Sequence, residues 1–391
     1  MPLDPARIPG DVDALAPVLR DVSAKIHAHP ELRFDEHRAS AWLCEAVEGE
    51  GLAVERGVGG LPTAFRARAG RGDGPRVAIL AEYDALPEIG HACGHNLIAA
   101  GALGAFLALA RQRAELPGTV EILGTPAEEG GGGKIRLLEA GLFEGVDAAI
   151  MFHPFDRDLL AHFALASVWL EIAFKGTPSH AAIAPWEGQS ALTACLETFR
   201  LIDSQRVHFR DGVRVHGFVT NGGQAVNIIP EAAAAEFSVR AKTQDELARV
   251  RAIVERCARG AALACGVEVT IKAREGYKDL VTNLPLARRF GEHLGALGRN
   301  APETDDDVGA GSTDMGDVSH AVPSIHPWLA ICDRGQTTCH QRAFAACAAS
   351  ERGAESMIVA AKAIALTVAD VLSDDALRAA IRRAFEARRA G

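Results

Sequence analysis

Residues Arg76–Ala110 read RVAILAEYDALPEIGHACGHNLIAAGALGAFLALA. The stretch opens on a short apolar run, Arg76–Leu80, which ends in the polar residues Glu82 and Asp84. A second apolar run, Leu97–Ala110, falls short of the ~20 residues that span a bilayer and reads as the helix that follows the strand. Between the two lie His91, Cys93 and His95. Strand, polar loop and helix make the first half of a βαβ unit. The pattern then repeats. GTVEILGTPAEE from Gly118 predicts a second strand, KIRLLEAGLF a short helix, and VDAAIMFHPFD from Val146 a third strand. Short apolar strands alternating with helices predict an α/β domain with a mostly parallel sheet flanked by helices.

The texture changes near Phe163. SVWLEIAFKG alternates as a half-exposed strand does, and GQSALTACLETFRLID has helical periodicity. Two strands follow around a Gly-Gly turn. An amphipathic helix opens on Asp245, and VEVTIKARE is a further strand. That order, βαββαβ, is a compact α+β unit. After YKDLVTN come a helix, the strand SIHPWLAI and a long C-terminal helix. At 391 residues the chain exceeds one ordinary domain. The expectation is one α/β domain formed by 1–163 and 275–391, interrupted by an inserted α+β domain at 164–274.

A net charge of −10 argues against a nucleic-acid partner, which needs a basic face. The eight cysteines form no CxxC pair and are no disulfide framework. MPLDPARIPGDVDAL has no apolar core of a signal peptide. A reduced, cytoplasmic chain with no membrane partner is therefore expected.

The chemistry lies where the strands end. After the first come Glu82, Asp84, Cys93 and His95; after the second, Glu128 and Glu129; after the third, His153. In open α/β sheets, ligands bind outside the carboxyl ends of the strands. Cys, His and Glu are donors for Zn²⁺, and carboxylates also suit Mn²⁺ or Co²⁺. A bridged pair of ions needs about five or six donors. Cys93, His95, Glu129 and His153 supply four, and a fifth is expected from the C-terminal part. Neighbouring carboxylates on an irregular loop can point apart, so one of Glu128 and Glu129 can bind metal while the other serves as general base. EEGGGGK, which ends on Lys134, lacks the spacing and the Ser/Thr of a phosphate loop; its glycines more simply permit close backbone approach. His91 is given a supporting role. His27, His29, His37, His208, His293, His320 and His326 are given none, and the cysteines other than Cys93 read as small buried hydrophobes.

Taken together, AEYDALPEIGHACGHN, TPAEEGGGGK, MFHPFD, GTPSHAAIAPWEGQSAL, NIIPEA with SVRA, GSTDMGDVSHAVPSIHP and TTCHQRAF resemble the M20 metallopeptidases. The similar branch is the amidohydrolase one, with aminobenzoyl-glutamate hydrolases and β-alanyl-lysine-type dipeptidases. The motifs run in order from about residue 20 to 350. The resemblance implies a catalytic role for the domain formed by 1–163 and 275–391, and a lid and dimerisation role for the inserted domain at 164–274. The resemblance implies two divalent ions, Mn²⁺ or Zn²⁺ with Co²⁺ or Ni²⁺ as substitutes. It implies Cys93, His95, Glu129, His153 and His340 as their ligands, with Cys93 as bridge. It implies Glu128 as general base and Asp84 as the acid that orients a ligand. In the lid, His180 matches a histidine that reaches the partner subunit's site and polarises the scissile carbonyl. Asn227 and Arg240 match residues that hold the substrate, Arg240 being suited to a terminal carboxylate. A homodimer through the lid follows. One departure is Asn96, where many relatives have Asp; its side-chain oxygen can still orient a histidine ligand without adding charge, and the similar sub-branch shares it, so it reads as a marker of the substrate group.

The expected activity is metal-dependent hydrolysis of an amide bond in an N-acyl amino acid, dipeptide or aryl amide. A hydrolytic deaminase of an aromatic amine and a catalytically silent small-molecule binder are the alternatives. Thiol redox chemistry at Cys93 is set aside because no second cysteine lies near it in sequence.

Overall fold

The structure, a computed structural model, describes residues 3–274, 276–305 and 311–389. Helices α1 (Ile8–Ala28) and α2 (His37–Gly49) precede strands β1 (Val54–Arg56), β2 (Phe65–Gly70) and β3 (Arg76–Ala81). Then come α3 (His95–Ala110), β4 (Thr119–Gly124), α4 (Gly133–Glu139), β5 (Ala148–Ile150) and β6 (His153–Phe155). The next stretch holds β7 (Ala166–Lys175), α5 (Ala191–Gln205), β8 (Arg214–Asn221), β9 (Ala232–Ala241), α6 (Gln244–Cys265) and β10 (Glu268–Arg274). The last holds α7 (Leu284–Ala296), α8 (Met315–Ala321), β11 (Ser324–Ile325), β12 (Trp328–Ala330), α9 (Arg342–Ala348), α10 (Glu351–Ser373) and α11 (Asp375–Arg389).

The chain divides into two units: residues up to Phe163 with those from Val281 onward, and Ala164–Leu280. The second unit ends past the 274 expected from texture. Its last residues pair back onto its first strand region, the Ser167 N–H to Tyr277 O at 2.8 Å and the Leu280 N–H to Ala164 O at 3.2 Å.

In the larger unit the sheet order is β1-β2-β4-β3-β5-β11. Strands β4, β3, β5 and β11 run parallel, as expected, while β2 joins β4 antiparallel and β1 extends that edge. Two expected strands are broken. VDAAIMFHPFD splits into β5 and β6, and SIHPWLAI into β11 and β12; β6 and β12 form their own parallel pair. Helix α3 is buried along its whole length, as an all-round apolar sequence requires, against α1, α10 and β3. Helix α10 is long and apolar enough to cross a bilayer, but 67% of its most apolar window is buried, mainly against α3 and α7, as in a core helix.

The smaller unit is a four-stranded antiparallel sheet, β10-β7-β9-β8, in the order βαββαβ. Helices α5 and α6 pack on it around Phe174, Phe237, Val250 and Val254. Strand β8 is an edge, and its side chains from His216 to Asn221 are exposed.

Candidate active site

Because β3, β4 and β5 are parallel, the segments that leave their carboxyl ends gather on one side of the sheet. His95 opens α3. The preceding Gly94 has φ 79°, and a Cβ there would stand 2.9 Å from the Pro154 ring, so the turn from Cys93 to His95 needs glycine. His95 Nδ1 lies 2.8 Å from the Asp84 carbonyl oxygen and 3.1 Å from Asp84 Oδ1. Both are acceptors, so Nδ1 carries the hydrogen and donates it. Nε2 is left as the open atom of the neutral ring. It lies 3.4 Å from Glu82 Oε2 and 3.9 Å from Glu129 Oε1. All three atoms are buried and have no hydrogen-bond partner. Burial alone would lower the His95 pKa, but Asp84, Glu82 and Glu129 together hold it well above the usual range. Facing unpartnered lone pairs on His95 Nε2 and Glu82 Oε2 call for a proton or a metal ion between them, and an ion takes the proton's place.

The other donors face the same way. His153 Nδ1 donates to the Pro154 carbonyl at 2.7 Å, which turns Nε2 toward Cys93 Sγ at 3.5 Å. Burial pushes the His153 pKa down to about 4, so the ring is neutral. His340 sits at φ 67°, an uncommon conformation for a side chain of its size, and its N–H donates to Ala92 O at 2.9 Å. That bond ties it beside Cys93, and its Nε2 is 3.4 Å from Glu129 Oε2. Cys93 is thus common to two groups. One adds His95 and His153, the other Glu129 and His340; within each, donor atoms lie within 4.8 Å of one another. Donors held by one tetrahedral ion at about 2.0–2.3 Å stand about 3.3–3.6 Å apart. The separations of 3.4 and 3.5 Å fall in that range. Charge points the same way. Glu82, Asp84, Glu128 and Asp314 are buried and Glu129 is nearly so, yet Lys134 is the only buried lysine or arginine among the described residues. The residues present fit a pair of divalent cations.

Glu128 and Glu129 are splayed by two backbone bonds. Ala127, at φ 60°, donates its N–H to Glu36 Oε1 at 2.9 Å, and the Glu129 N–H donates to Asp84 Oδ2 at 2.9 Å. Glu36 is anchored in turn by the Phe34 N–H and the Thr63 hydroxyl. As a result Glu128 groups with Glu82 and His95, not with His340. Burial, with Glu82 and Glu129 nearby, holds the Glu128 pKa well above the usual carboxylate range, the direction a proton acceptor near neutral pH requires.

Three sequence expectations change here. Asn96 does not orient a histidine. Its Nδ2 donates to Ser23 Oγ at 2.9 Å and to Ala348 O at 3.1 Å, tying α3 to α1 and to the end of α9, and the residue that orients His95 is Asp84. Asparagine is needed because carboxylate has no hydrogen to donate. Asn96→Asp is therefore expected to destabilise the fold by roughly 1–3 kcal/mol, read as a lowered Tm; an unchanged Tm would contradict the assignment. Second, Cys93 does have a thiol neighbour, because the fold brings Cys339 against it. A hydrogen bond in which the Cys93 thiol donates to Cys339, together with burial, raises the Cys93 pKa, the opposite of what a reactive thiolate needs. Third, His326 does have a partner: its Nδ1 is 3.0 Å from His162 Nε2, and its ring is 5.3 Å from that of His153.

His91 is buried beside His27 and outside the donor groups, its pKa pushed down to about 3 by burial. Sequence reasoning named Glu82 and Lys134 but gave them no role, and passed over Glu36 and Asp314. Glu82 had the better signal, standing two residues before Asp84 at a strand end.

In the smaller unit, His180 pairs with Ile228, and the Ala181 N–H donates to Asn227 O at 3.0 Å. His180 and Asn227 are therefore neighbours. Arg240 is paired with Ser167 and Arg214 at the far end of the β8–β9 hairpin, roughly 25 Å along the strand. Around His180 and Asn227, Ile183, Trp186, Val226 and Ile228 are exposed.

Known proteins share this architecture and its motifs. Residues 78–368 match peptidase family M20/M25/M40. Xaa-Arg dipeptidase of Mus musculus is 39% identical over 391 residues, covering 96% of this chain and 90% of the relative. One of the chains of p-aminobenzoyl-glutamate hydrolase from Escherichia coli (strain K12) is 34% identical over 275 residues, covering 65% of this chain and 56% of the relative. Among solved structures, a dinuclear metal binding peptidase of the M20 family from Bacillus subtilis is similar with TM-score 0.71 and 24% identity, covering 92% of this chain and 99% of that one.

Proposed function

The chain belongs to peptidase family M20/M25/M40 and is a metal-dependent amide hydrolase, and from that premise we propose that it is a dipeptidase whose general base is Glu128. The observation that supports the base is that Glu128 lies with Glu82 and His95 and outside the Cys93–His340 group, whereas Glu129 reaches both His340 and His95. The dipeptide substrate is suggested by the murine relative, which is a dipeptidase.

In this proposal Cys93, His95, His153, Glu129 and His340 would hold the ions, Cys93 being common to both donor groups. Two bound divalent cations, Mn²⁺ or Zn²⁺ with Co²⁺ or Ni²⁺ as substitutes, would acidify the attacking water and polarise the scissile carbonyl. Glu128 takes the proton of that water on a carboxylate oxygen and delivers it to the leaving amine. Asp84 keeps the His95 hydrogen on Nδ1 and holds the Glu129 backbone. His180 and Asn227 serve the site of a second copy, His180 by donating to the developing oxyanion. Arg240 pairs with the terminal carboxylate of the substrate. Support for a lid-mediated homodimer comes from the unpaired β8 edge and the exposed Ile183, Trp186 and Val226.

The test is a release assay on chelator-stripped protein, reloaded with Zn²⁺, Mn²⁺ or Co²⁺ and offered dipeptides, N-acyl amino acids and aryl amides. Amino-acid release from dipeptides is expected. Ammonia release from aromatic amines, with dipeptides untouched, would replace the proposal with an aminohydrolase. The role of His180 has its own test. His180→Ala and Glu128→Gln proteins, each inactive, are expected to regain activity when mixed and re-formed as dimers, up to about a quarter of the wild-type value at equal amounts, because one site per mixed dimer is complete. No recovery on mixing would place His180 outside the partner's site.

A further inference from the structure

Given the metal centre proposed above, we infer that Glu82 is a further ligand of it, held in position by Lys134. Glu82 follows β3 directly and is fully buried. Its Oε1 is 2.5 Å from Lys134 Nζ, and the same ammonium is 2.7 Å from Asp314 Oδ1. The Lys134 backbone N–H donates to Asp314 Oδ2 at 3.0 Å, so the lysine is fixed at both ends of its own residue. Gly133, just before it, passes so close to Pro126 O that an added Cβ would stand 1.8 Å away, which explains the glycine of EEGGGGK at that position.

This clamp sets the carboxylate of Glu82 and satisfies one oxygen. The other, Oε2, is buried with no hydrogen-bond partner. A bare carboxylate oxygen away from water is costly unless a cation or donor meets it. The polar atom it faces is His95 Nε2 at 3.4 Å, which is itself unpartnered. A hydrogen bond does not account for the pair: the Nδ1 hydrogen goes to Asp84, and an Nε2 hydrogen would have to reach Glu82 over 3.4 Å, long for a charge-assisted bond in a buried site. A shared ion does, since an oxygen and a nitrogen bound to one tetrahedral ion stand about 3.3 Å apart. Lys134 is then a positioning residue, one that fixes a ligand's free oxygen by binding its other oxygen.

The experiment compares wild type with Glu82→Gln and Glu121→Gln. Glu121 is an equally buried carboxylate on β4, paired with Arg68 at 2.9 Å, and controls for the loss of a buried charge. Each protein is stripped of metal and titrated with Co²⁺, followed by the visible ligand-field absorption of the ion and by elemental analysis. Glutamine keeps an oxygen for Lys134. The expected result for Glu82→Gln is about 10- to 100-fold weaker binding of one equivalent, with an altered Co²⁺ absorption envelope. Glu121→Gln is expected to match wild type in both. A wild-type Co²⁺ spectrum in Glu82→Gln overturns the inference, whether or not affinity falls. Should the glutamine protein not fold, Glu82→Asp keeps the charge but withdraws the oxygen; it is expected to alter the spectrum, and an unaltered one is equally decisive against the assignment. Wild type that binds no Co²⁺ at all defeats the metal centre itself, a result distinct from either.

Discussion

Glu128→Gln is expected to lower kcat on the best dipeptide by about 10²–10⁴-fold, with bound metal unchanged. The amide is nearly the same size as the carboxylate and cannot take a proton. The loop should keep its shape, because the bonds that set it run from the Ala127 and Glu129 backbone to Glu36 and Asp84, not through the Glu128 side chain. Metal content should persist because Cys93, His95, His153, Glu129 and His340 are untouched. The pairing of those two results distinguishes a base from a ligand. Lost metal would make Glu128 a ligand, and normal turnover would remove it from the chemistry. KM should change little, since the proposed role begins when the water is attacked.

Cys93→Ala is expected to act the other way, through the ions. Cys93 belongs to both donor groups, so removing one sulfur weakens both at once. Bound metal is expected to fall from about two equivalents per chain to below one, and turnover by about 10³-fold or more. The fold should survive, since Cys93 is a small buried side chain in a loop and its neighbours Gly94 and Ala92 keep their backbone bonds to His91 and His340. Elemental analysis of dialysed protein gives the answer. Two equivalents retained in Cys93→Ala would show that the sulfur is not shared.

The parts legible in the sequence were those set by local pattern. The run Arg76–Ala81 and the all-apolar helix after His95 declare themselves, and parallel strands bring their carboxyl ends together by topology alone. Hence Cys93, His95, Glu129 and His153 could be gathered from the order of strands and loops. Strand β1 is three residues long and mostly exposed, too short for a period to show. The break between β5 and β6 is not local either: β5 pairs with β3 and β11, while β6 turns to β12. Glu36, Lys134 with Asp314, and His162 with His326 escaped for a related reason. Each gains its place from a partner far along the chain, as Lys134 does from Asp314, and no spacing rule links them. The histidine-orienting role open to Asn96 came from comparing its residue type with a family pattern, whereas its hydrogen-bond direction, toward Ser23 and Ala348, ties helices together.

The central claim is that this cluster is a metal centre that hydrolyses amides. The most direct measurement is dipeptide turnover by chelator-stripped protein, with residual metal determined in the same sample. Turnover is expected to vanish as metal is removed and to return in proportion as about two equivalents of Mn²⁺ or Zn²⁺ are added. Full turnover in protein proved free of metal would contradict it.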